Sequence, residues 1–334
     1  MKSYRSAQSW TQSWLLFHAM PRIGVEGVML AWANEALCCL GVHQEIERSL
    51  DPGACAAEGI VLLRRECGGP LLPMDEGTLL YTITVERSRI TQSDRKTILA
   101  ELLRPLLQTC RALGLEVEHS TFGHFATKGL SLFRGTLMES YGFFSAAGYL
   151  QLRPLSKRLQ ATLHTKALSL TLSEIGIRAE REALARHIQA EAALQFGAMP
   201  LAEIEPALRQ EAEAIAIRML SPAWVLDGGR STRRKSPLAH TGILPTGGRH
   251  STEGGTIYAS VQYDEDARRI LSVVLSGDFF VFPPDGLSWL ENALENCPRD
   301  EVEAAIRRVY SFMPLETPGI SAEDWLIALN LPDF

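Results

Sequence analysis

Arg64 and Arg65 close an apolar run, IVLLRR, and lead through Glu66 and Cys67 to the pair Gly68–Gly69 and then to Pro70. A guanidinium is a planar fork that matches phosphate or carboxylate. Glycines let backbone N–H groups approach an anion with no Cβ in the way. The stretch is a candidate anion cradle; a β-turn flanked by two surface arginines has the same composition, and the stretch alone leaves both open. It is neither a P-loop nor a dinucleotide fingerprint, because GxxxxGK[ST] is absent and no GxGxxG lies between a strand and a helix.

Other chemistry-bearing residues are weaker candidates. His43 follows Gly41 after an apolar run and fits a hydrogen-bonded structural histidine better than a ligand contact. Cys67 would need a base or a depressed pKa to act as a nucleophile; no base can be assigned, and a small buried residue is the plainer account. Cys38 and Cys39 fall inside an apolar run and are expected in a core. Arg230, Arg233, Arg234 and Lys235 form a basic cluster in a polar segment, where a solvated stretch is expected more than a phosphate site. No metal-ligand spacing is present, and the six cysteines show neither CxxC nor a disulfide framework. Reduced thiols and a cytoplasmic location are expected.

Behind these residues stands a chain of 334 residues, enough for one large domain and a small one. The net charge of −6 lacks the basic excess of a nucleic-acid binder. No run of 18 apolar residues suggests a membrane partner, and the N-terminus lacks the apolar core of a signal peptide. Strands are expected at IGVEGVMLAW and ALCCLGVHQEI, at IVLLRR and GTLLYTITV, then at LEVEHSTF and a short GYLQLR. DPGACAAEGI should form a short helix with Pro52 early and Gly59 at its end. Residues 93–113 carry a helical period through Ile98, Leu99, Leu102, Leu103, Leu106 and Leu107, with Ser93 as cap, Pro105 as a kink and Gly114 as stop. Residues 173–219 predict two helices broken near Gly197 and Pro200. A Gly/Ser/Thr/Arg-rich linker follows at 227–255. TIYASVQYD and ILSVVLSGDFFVF predict a hairpin, and two short helices complete a small unit. The expected domains are 1–226, the linker 227–255, and 256–334.

The order of these pieces resembles the A-type lipoate–protein ligases of the biotin/lipoate protein ligase superfamily, as a divergent member. A Gly-x-His-Gln-like segment is followed by a helix, an Arg-Arg-x-Ser-Gly-Gly-Gly-Ala-Val loop and an Asp-x-Gly end. Here that loop runs Arg64, Arg65, Glu66, Cys67, Gly68, Gly69, Pro70, Leu71, Leu72, ending at Asp75, Gly77 and Thr78 with no gap. GGTIYASVQYD and GDFF near the C-terminus resemble the family's accessory domain. The resemblance implies an α+β fold: a mixed β-sheet flanked by helices, with a small C-terminal α+β accessory domain. It implies ATP, Mg2+ and lipoate as ligands, lipoyl-AMP formation, and a lipoyl-carrier protein domain as partner. It assigns Arg65 to phosphate or acyl-adenylate. Gly68 and Gly69, with the backbone of Pro70, Leu71, Leu72 and Pro73, would line nucleotide and lipoyl. Pro70 removes one N–H where the family has a third glycine.

A second family motif, Asn-Asp followed by Gly-x-Lys, is not matched. Phe122–Gly123 stands for Asn-Asp, and Ser131 or Leu132, depending on a one-residue gap, for the lysine. Gly129, Gly135, Thr136, Gly142 and Gly148 keep the family's small residues. Lys128 is the candidate catalytic cation; Arg134 is not a like-for-like substitute at a point-charge site. Three functions stay open: an altered lipoate–protein ligase, a non-catalytic paralogue that binds a lipoyl carrier, a ligase partner or an acyl-nucleotide, and an ATP-independent acyltransferase using Cys67.

Overall fold

The computed structural model describes residues 1–6, 9–164, 170–197, 199–227 and 247–331. The chain forms two compact units. The first holds Met1–Leu40, Ile46–Glu66 and Leu71–Val225; the second holds Gly41–Glu45, Cys67–Pro70 and Leu226–Phe334. The cluster Arg230, Arg233, Arg234 and Lys235, with most of the expected linker, lies outside the described residues.

The first unit opens with β1 (Lys2–Ser6), α1 (Trp10–Arg22) and β2 (Gly27–Ala31). The Ser9 hydroxyl accepts from the Gln12 N–H at 3.3 Å, and the Glu35 carboxylate accepts from the Trp10 N–H. Negative charge there complements the helix dipole. Ten of the thirteen α1 residues are buried, from Trp10 to Pro21. Next come β3 (Leu37–Leu40), α2 (Ile46–Ser49), α3 (Pro52–Ala57), β4 (Val61–Arg64), β5 (Leu72–Met74) and β6 (Thr78–Glu86). The Asp51 carboxylate caps α3, with Pro52 in its first turn. The strand expected across ALCCLGVHQEI stops at Leu40, because Gly41–Gln44 turn sharply and the Gln44 side chain accepts from the Gly41 N–H at 2.8 Å.

The long helix expected at 93–113 is two: α4 (Arg95–Leu102) and α5 (Arg104–Ala112). Pro105 cannot donate within a continuous helix, so the chain restarts at Leu103 with Pro105 in its first turn. The cap is Asp94 rather than Ser93, its carboxylate accepting from the Thr97 N–H at 2.8 Å. Then follow β7 (Glu118–Thr121), β8 (His124–Thr127), β9 (Leu130–Ser140), β10 (Phe143–Gln151), α6 (Lys157–Thr162), α7 (Arg181–Phe196), β11 (Leu201–Ala202), α8 (Pro206–Met219) and α9 (Pro222–Asp227). The strand expected at GYLQLR begins earlier, at Phe143, and ends at Gln151, and α7 begins at Arg181, eight residues beyond the expected start.

Eight strands form one mixed sheet in the order β11-β1-β2-β6-β10-β9-β8-β7, and β4-β3-β5 form a smaller one. β1 runs parallel to β11 and β2, and the ladders from β2 to β7 are antiparallel. Helix α1 lies against β2, β6 and β10, and α8 packs on α1. The fold is α+β, a mixed sheet flanked by helices.

In the second unit β12 (Arg249–Thr252), β13 (Gly255–Asp264) and β14 (Arg269–Gly277) form an antiparallel sheet. Residues 249–252, expected as linker, are a strand. The β13–β14 hairpin forms as expected, but β14 ends at Gly277, so Phe279–Phe282 are not strand. Among the described residues three helices rather than two follow the hairpin: α10 (Leu287–Leu294), α11 (Val302–Phe312) and α12 (Ala322–Leu329). Phe279, Val281, Leu290, Ile306 and Trp325 belong to its core.

Candidate functional site

At the end of β4 the two arginines part. Arg64 donates to the carbonyls of Trp224 and Val225 at 3.1 and 3.0 Å, and the Trp224 indole donates back to the Arg64 carbonyl at 2.8 Å. It thereby fastens α9 to the sheet edge. Arg65 is wholly buried and donates to the Cys39 carbonyl at 2.9 Å. A buried charge persists only when partnered, and this guanidinium is held in one place.

Next to it is a cluster that the sequence did not announce. Glu66 accepts from Arg22 of α1 at 2.9 and 3.2 Å and is paired with Arg218 of α8. The Arg218 guanidinium lies over the Trp224 ring, 4.4 Å from its centroid. His18, one turn before Arg22, is buried, with Nδ1 3.5 Å from the Glu66 carboxylate. Among the described residues neither His18 ring nitrogen has a hydrogen-bond partner, nor has the buried Trp14 indole N–H one turn earlier. Burial, with Arg22, Arg65 and Arg218 nearby, pushes the His18 imidazole down to about 3. Helix α1 thus carries an indole N–H and a neutral imidazole with polar atoms unspent, the imidazole beside three guanidinium groups and one carboxylate.

Leu71, Leu72 and Pro73 are buried; the last two lie in β5, where Pro73 pairs with Cys38. Asp75, at the end of the same loop, closes a turn: its carboxylate accepts from the N–H groups of Gly77 and Ser156 at 2.9 and 2.6 Å.

Gly68, Gly69 and Pro70 are buried in the second unit. A Cβ on Gly68 would lie 2.6 Å from the Phe279 carbonyl oxygen, and one on Gly69 would lie 2.3 Å from Phe280 Cζ. The Gly69 N–H donates to the Phe279 carbonyl at 2.8 Å. The absence of side chains at this pair is therefore used by the GDFF segment. His43 stacks on the Phe279 ring, with centroids 5.6 Å apart, and Cys67 is 1% exposed.

The second motif occupies β-hairpins. Phe122–Gly123 is the turn between β7 and β8. Lys128–Gly129 is the turn between β8 and β9, and Tyr141–Gly142 that between β9 and β10. Lys128 has φ +50° and Gly129 φ +75°, the left-handed pair that a tight hairpin demands. Lys128 is exposed, and among the described residues it makes no hydrogen bond or ion pair. The structure does not bring it to Arg65 by any contact. Opposite Ala126, β9 carries an extra residue: Phe133 pairs with Phe125 and Ser131 with Ala126, leaving Leu132 as a bulge. Leu132 is buried, and Ser131 is partly exposed. Gly135 and Gly148 face each other across β9 and β10, where the side chain of Leu103 presses on both.

A family model described as the lipoyl protein ligase A/B catalytic domain matches residues 6–135. Lipoate-protein ligase A subunit 2 of Thermoplasma acidophilum is 37% identical over 71 residues, 21% of this chain and 74% of that protein. The chain belongs to the lipoate–protein ligase family. LipL1 of P. falciparum, solved with lipoate, has the same fold: the likeness covers 94% of this chain and 95% of that one, with a TM-score of 0.69 at 12% identity. A bipartite lipoate–protein ligase of T. acidophilum, studied with its E2 lipoyl domain, gives 0.59 at 12% identity over 67% of this chain and 95% of its own. A lipoate-protein ligase A with ATP bound gives 0.58 at 13% identity, over 67% and 98%.

Within this lipoate–protein ligase-like chain the functional candidates that sequence reasoning missed are His18, Trp14, Arg22 and Arg218. They come from α1 and α8, far from the glycine pair in sequence. The one available signal was Glu66, a carboxylate directly after two arginines. Among the described residues no group of three or more His, Cys, Asp or Glu could hold a metal ion, and no helix is long and apolar enough to cross a membrane.

Proposed function

We propose that this protein works in lipoyl attachment: it binds lipoate and ATP, forms lipoyl-AMP, and passes the acyl group to a lysine on a lipoyl-carrier domain. The observation that supports it most is the buried, fixed Arg65, directly after the strand that leads to the glycine pair, in a chain of this family. An acyl-adenylate carries a phosphate charge, and a guanidinium already held in place stabilises it without reorganising during the reaction. Relatives solved with lipoate and with ATP support the ligand pair, and the archaeal ligase studied with its E2 lipoyl domain supports the carrier. In this reading Arg65 binds the phosphate. Gly68, Gly69 and the backbone of Pro70 to Pro73 line nucleotide and lipoyl chain. Mg2+ enters with the ATP phosphates, and Lys128 is the candidate amino group for carboxylate and phosphate.

A second reading is favoured by one specific observation: Lys128 sits on an exposed hairpin tip, and positions 131 and 132 hold serine and leucine. The protein would then be a non-catalytic binder of a lipoyl carrier, a ligase partner or an acyl-nucleotide. Incubation with ATP, Mg2+, lipoate and a lipoyl-carrier domain decides between them. Lipoyl-AMP and a carrier mass gain, both lost in Lys128→Ala and Arg65→Ala, support the ligase. No product, with calorimetric binding of lipoyl-AMP, supports the binder. No product and no binding of lipoyl-AMP, of the carrier domain or of a partner ligase rejects both. No specific observation favours an ATP-independent acyltransferase using Cys67.

A further inference from the structure

The GDFF segment divides its two phenylalanines between different tasks. Phe279 and Val281 enter the core of the second unit, Phe279 edge-on to Trp325 with centroids 5.3 Å apart. Phe280, between them in sequence, packs on Gly69 instead: its Cζ, Cε1 and Cε2 would lie 2.3, 2.8 and 2.9 Å from a Cβ there. Gly69 has φ +94°, a conformation that suits glycine. The segment is braced on both sides. The Asp278 carboxylate accepts from the Thr256 N–H at 2.6 Å, and the Gly277 N–H donates to the His43 carbonyl at 3.0 Å. The Ser276 hydroxyl donates to the Glu45 carboxylate at 2.7 Å.

This docking changes what the loop can offer an anion. Pro70 has no N–H, and the Gly69 N–H is engaged by the Phe279 carbonyl at 2.8 Å. Two of the four residues in Cys67–Pro70 therefore give no backbone donor to a ligand while Phe279–Phe280 is seated. We infer that Phe280 is a positioning residue that holds the 67–70 loop closed, and that an acyl phosphate reaches the Gly69 N–H only when the Phe279–Phe280 segment withdraws. The inference rests on the proposed acyl-adenylate reading for its ligand, while the docking itself is independent of it. Phe280 is suited to such a latch because its ring fills space made by a missing side chain, and its removal leaves the Phe279–Trp325 core intact.

The test uses the full chain as wild type, Phe280→Ala and Phe280→Leu, with hydrogen exchange of the 66–72 backbone and calorimetry with a non-hydrolysable acyl-sulfamoyl adenosine. Phe280→Ala should raise exchange at Gly69 at least ten-fold and tighten the probe about five- to ten-fold. Phe280→Leu, which keeps an apolar plug, should return both towards wild type. Unchanged exchange in a folded Phe280→Ala protein overturns the latch. Raised exchange with equal or weaker probe binding overturns the competition between ring and ligand. Failure of every protein to bind the probe overturns the acyl-adenylate reading and the competition with it, while the exchange data still decide whether Phe280 holds the loop.

Discussion

Replacing His18 with leucine should remove most of the acid sensitivity that this side chain confers on the fold. His18 lies wholly buried among Arg22, Arg65, Arg218 and Glu66, and its imidazole is held at about 3 instead of the ordinary 6.5. Well above pH 6.5 the ring is neutral in both folded and unfolded chains and contributes no pH dependence. Below that, the unfolded chain takes up the proton and the folded one does not, so the fold loses stability as pH falls. At pH 5 the cost is about 2 kcal/mol, and it reaches roughly 5 kcal/mol once the pH passes below the folded value. His18→Leu cancels this cost and also removes two buried ring nitrogens that lack hydrogen-bond partners. The variant should be at least as stable as wild type at pH 7.5. Urea unfolding followed by tryptophan fluorescence at pH 7.5 and 5.0 reads the difference, since Trp10 and Trp14 lie on the same helix. His119, also lowered by burial to about 4, contributes equally to both proteins and cancels. Equal losses between the two pH values in wild type and variant would refute the burial argument.

Glu66→Gln removes the charge shared by Arg22 and Arg218 and should cost about 2 kcal/mol, a typical value for charge-assisted hydrogen bonds, measured as a lower urea midpoint with unchanged slope. Gly135→Val places a side chain where a Cβ already lies 2.6 Å from Leu103 Cδ1. It should destabilise by about 1–3 kcal/mol, whereas Gly148→Ala, with 3.1 Å to Leu106 Cδ2, should cost less in the same thermal melt. Lys128→Asn keeps a residue that accepts a left-handed turn, so its melting temperature should match wild type within a degree or two. Any loss of lipoyl-AMP formation in that variant, followed by mass spectrometry, then reports on the amino group alone.

Local patterns carried much of this fold. Alternation marked the β13–β14 hairpin, and Asp51–Pro52 with Gly59 marked α3. Helix α1 escaped because it is buried on nearly all sides: without a polar face there is no period to detect. β5 is three residues long and contains Pro73, so composition disguised it as loop. At the site, the arginine–glycine stretch was visible as a candidate and Arg65 singled out. What surrounds Arg65 was not, because His18 and Arg22 arrive on α1 and Arg218 on α8. Such meetings are made by tertiary packing and leave no spacing to count. The GDFF segment was expected in the second strand of the hairpin, which instead ends at Gly277; that Phe280 answers the missing side chain of Gly69 depends on two segments separated by some two hundred residues.

The extra residue in β9 decides where an amino group can be placed on this hairpin. In a regular strand successive positions alternate between faces, so moving a side chain by one place carries it through the sheet. At Leu132 the strand breaks step: Leu132 and Phe133 are both buried although they are neighbours. The strand is thus two short phrases joined out of phase, with Leu130–Ser131 in one and Phe133 onward in the other. A lysine placed at 131 would emerge partly in solvent, whereas one placed at 132 would be driven inward. Deleting Leu132 would bring both phrases back into a single rhythm, with Ser131 still opposite Ala126 and Phe133 opposite Phe125. Two designs that differ by one position therefore meet different surroundings, one partly exposed and the other buried.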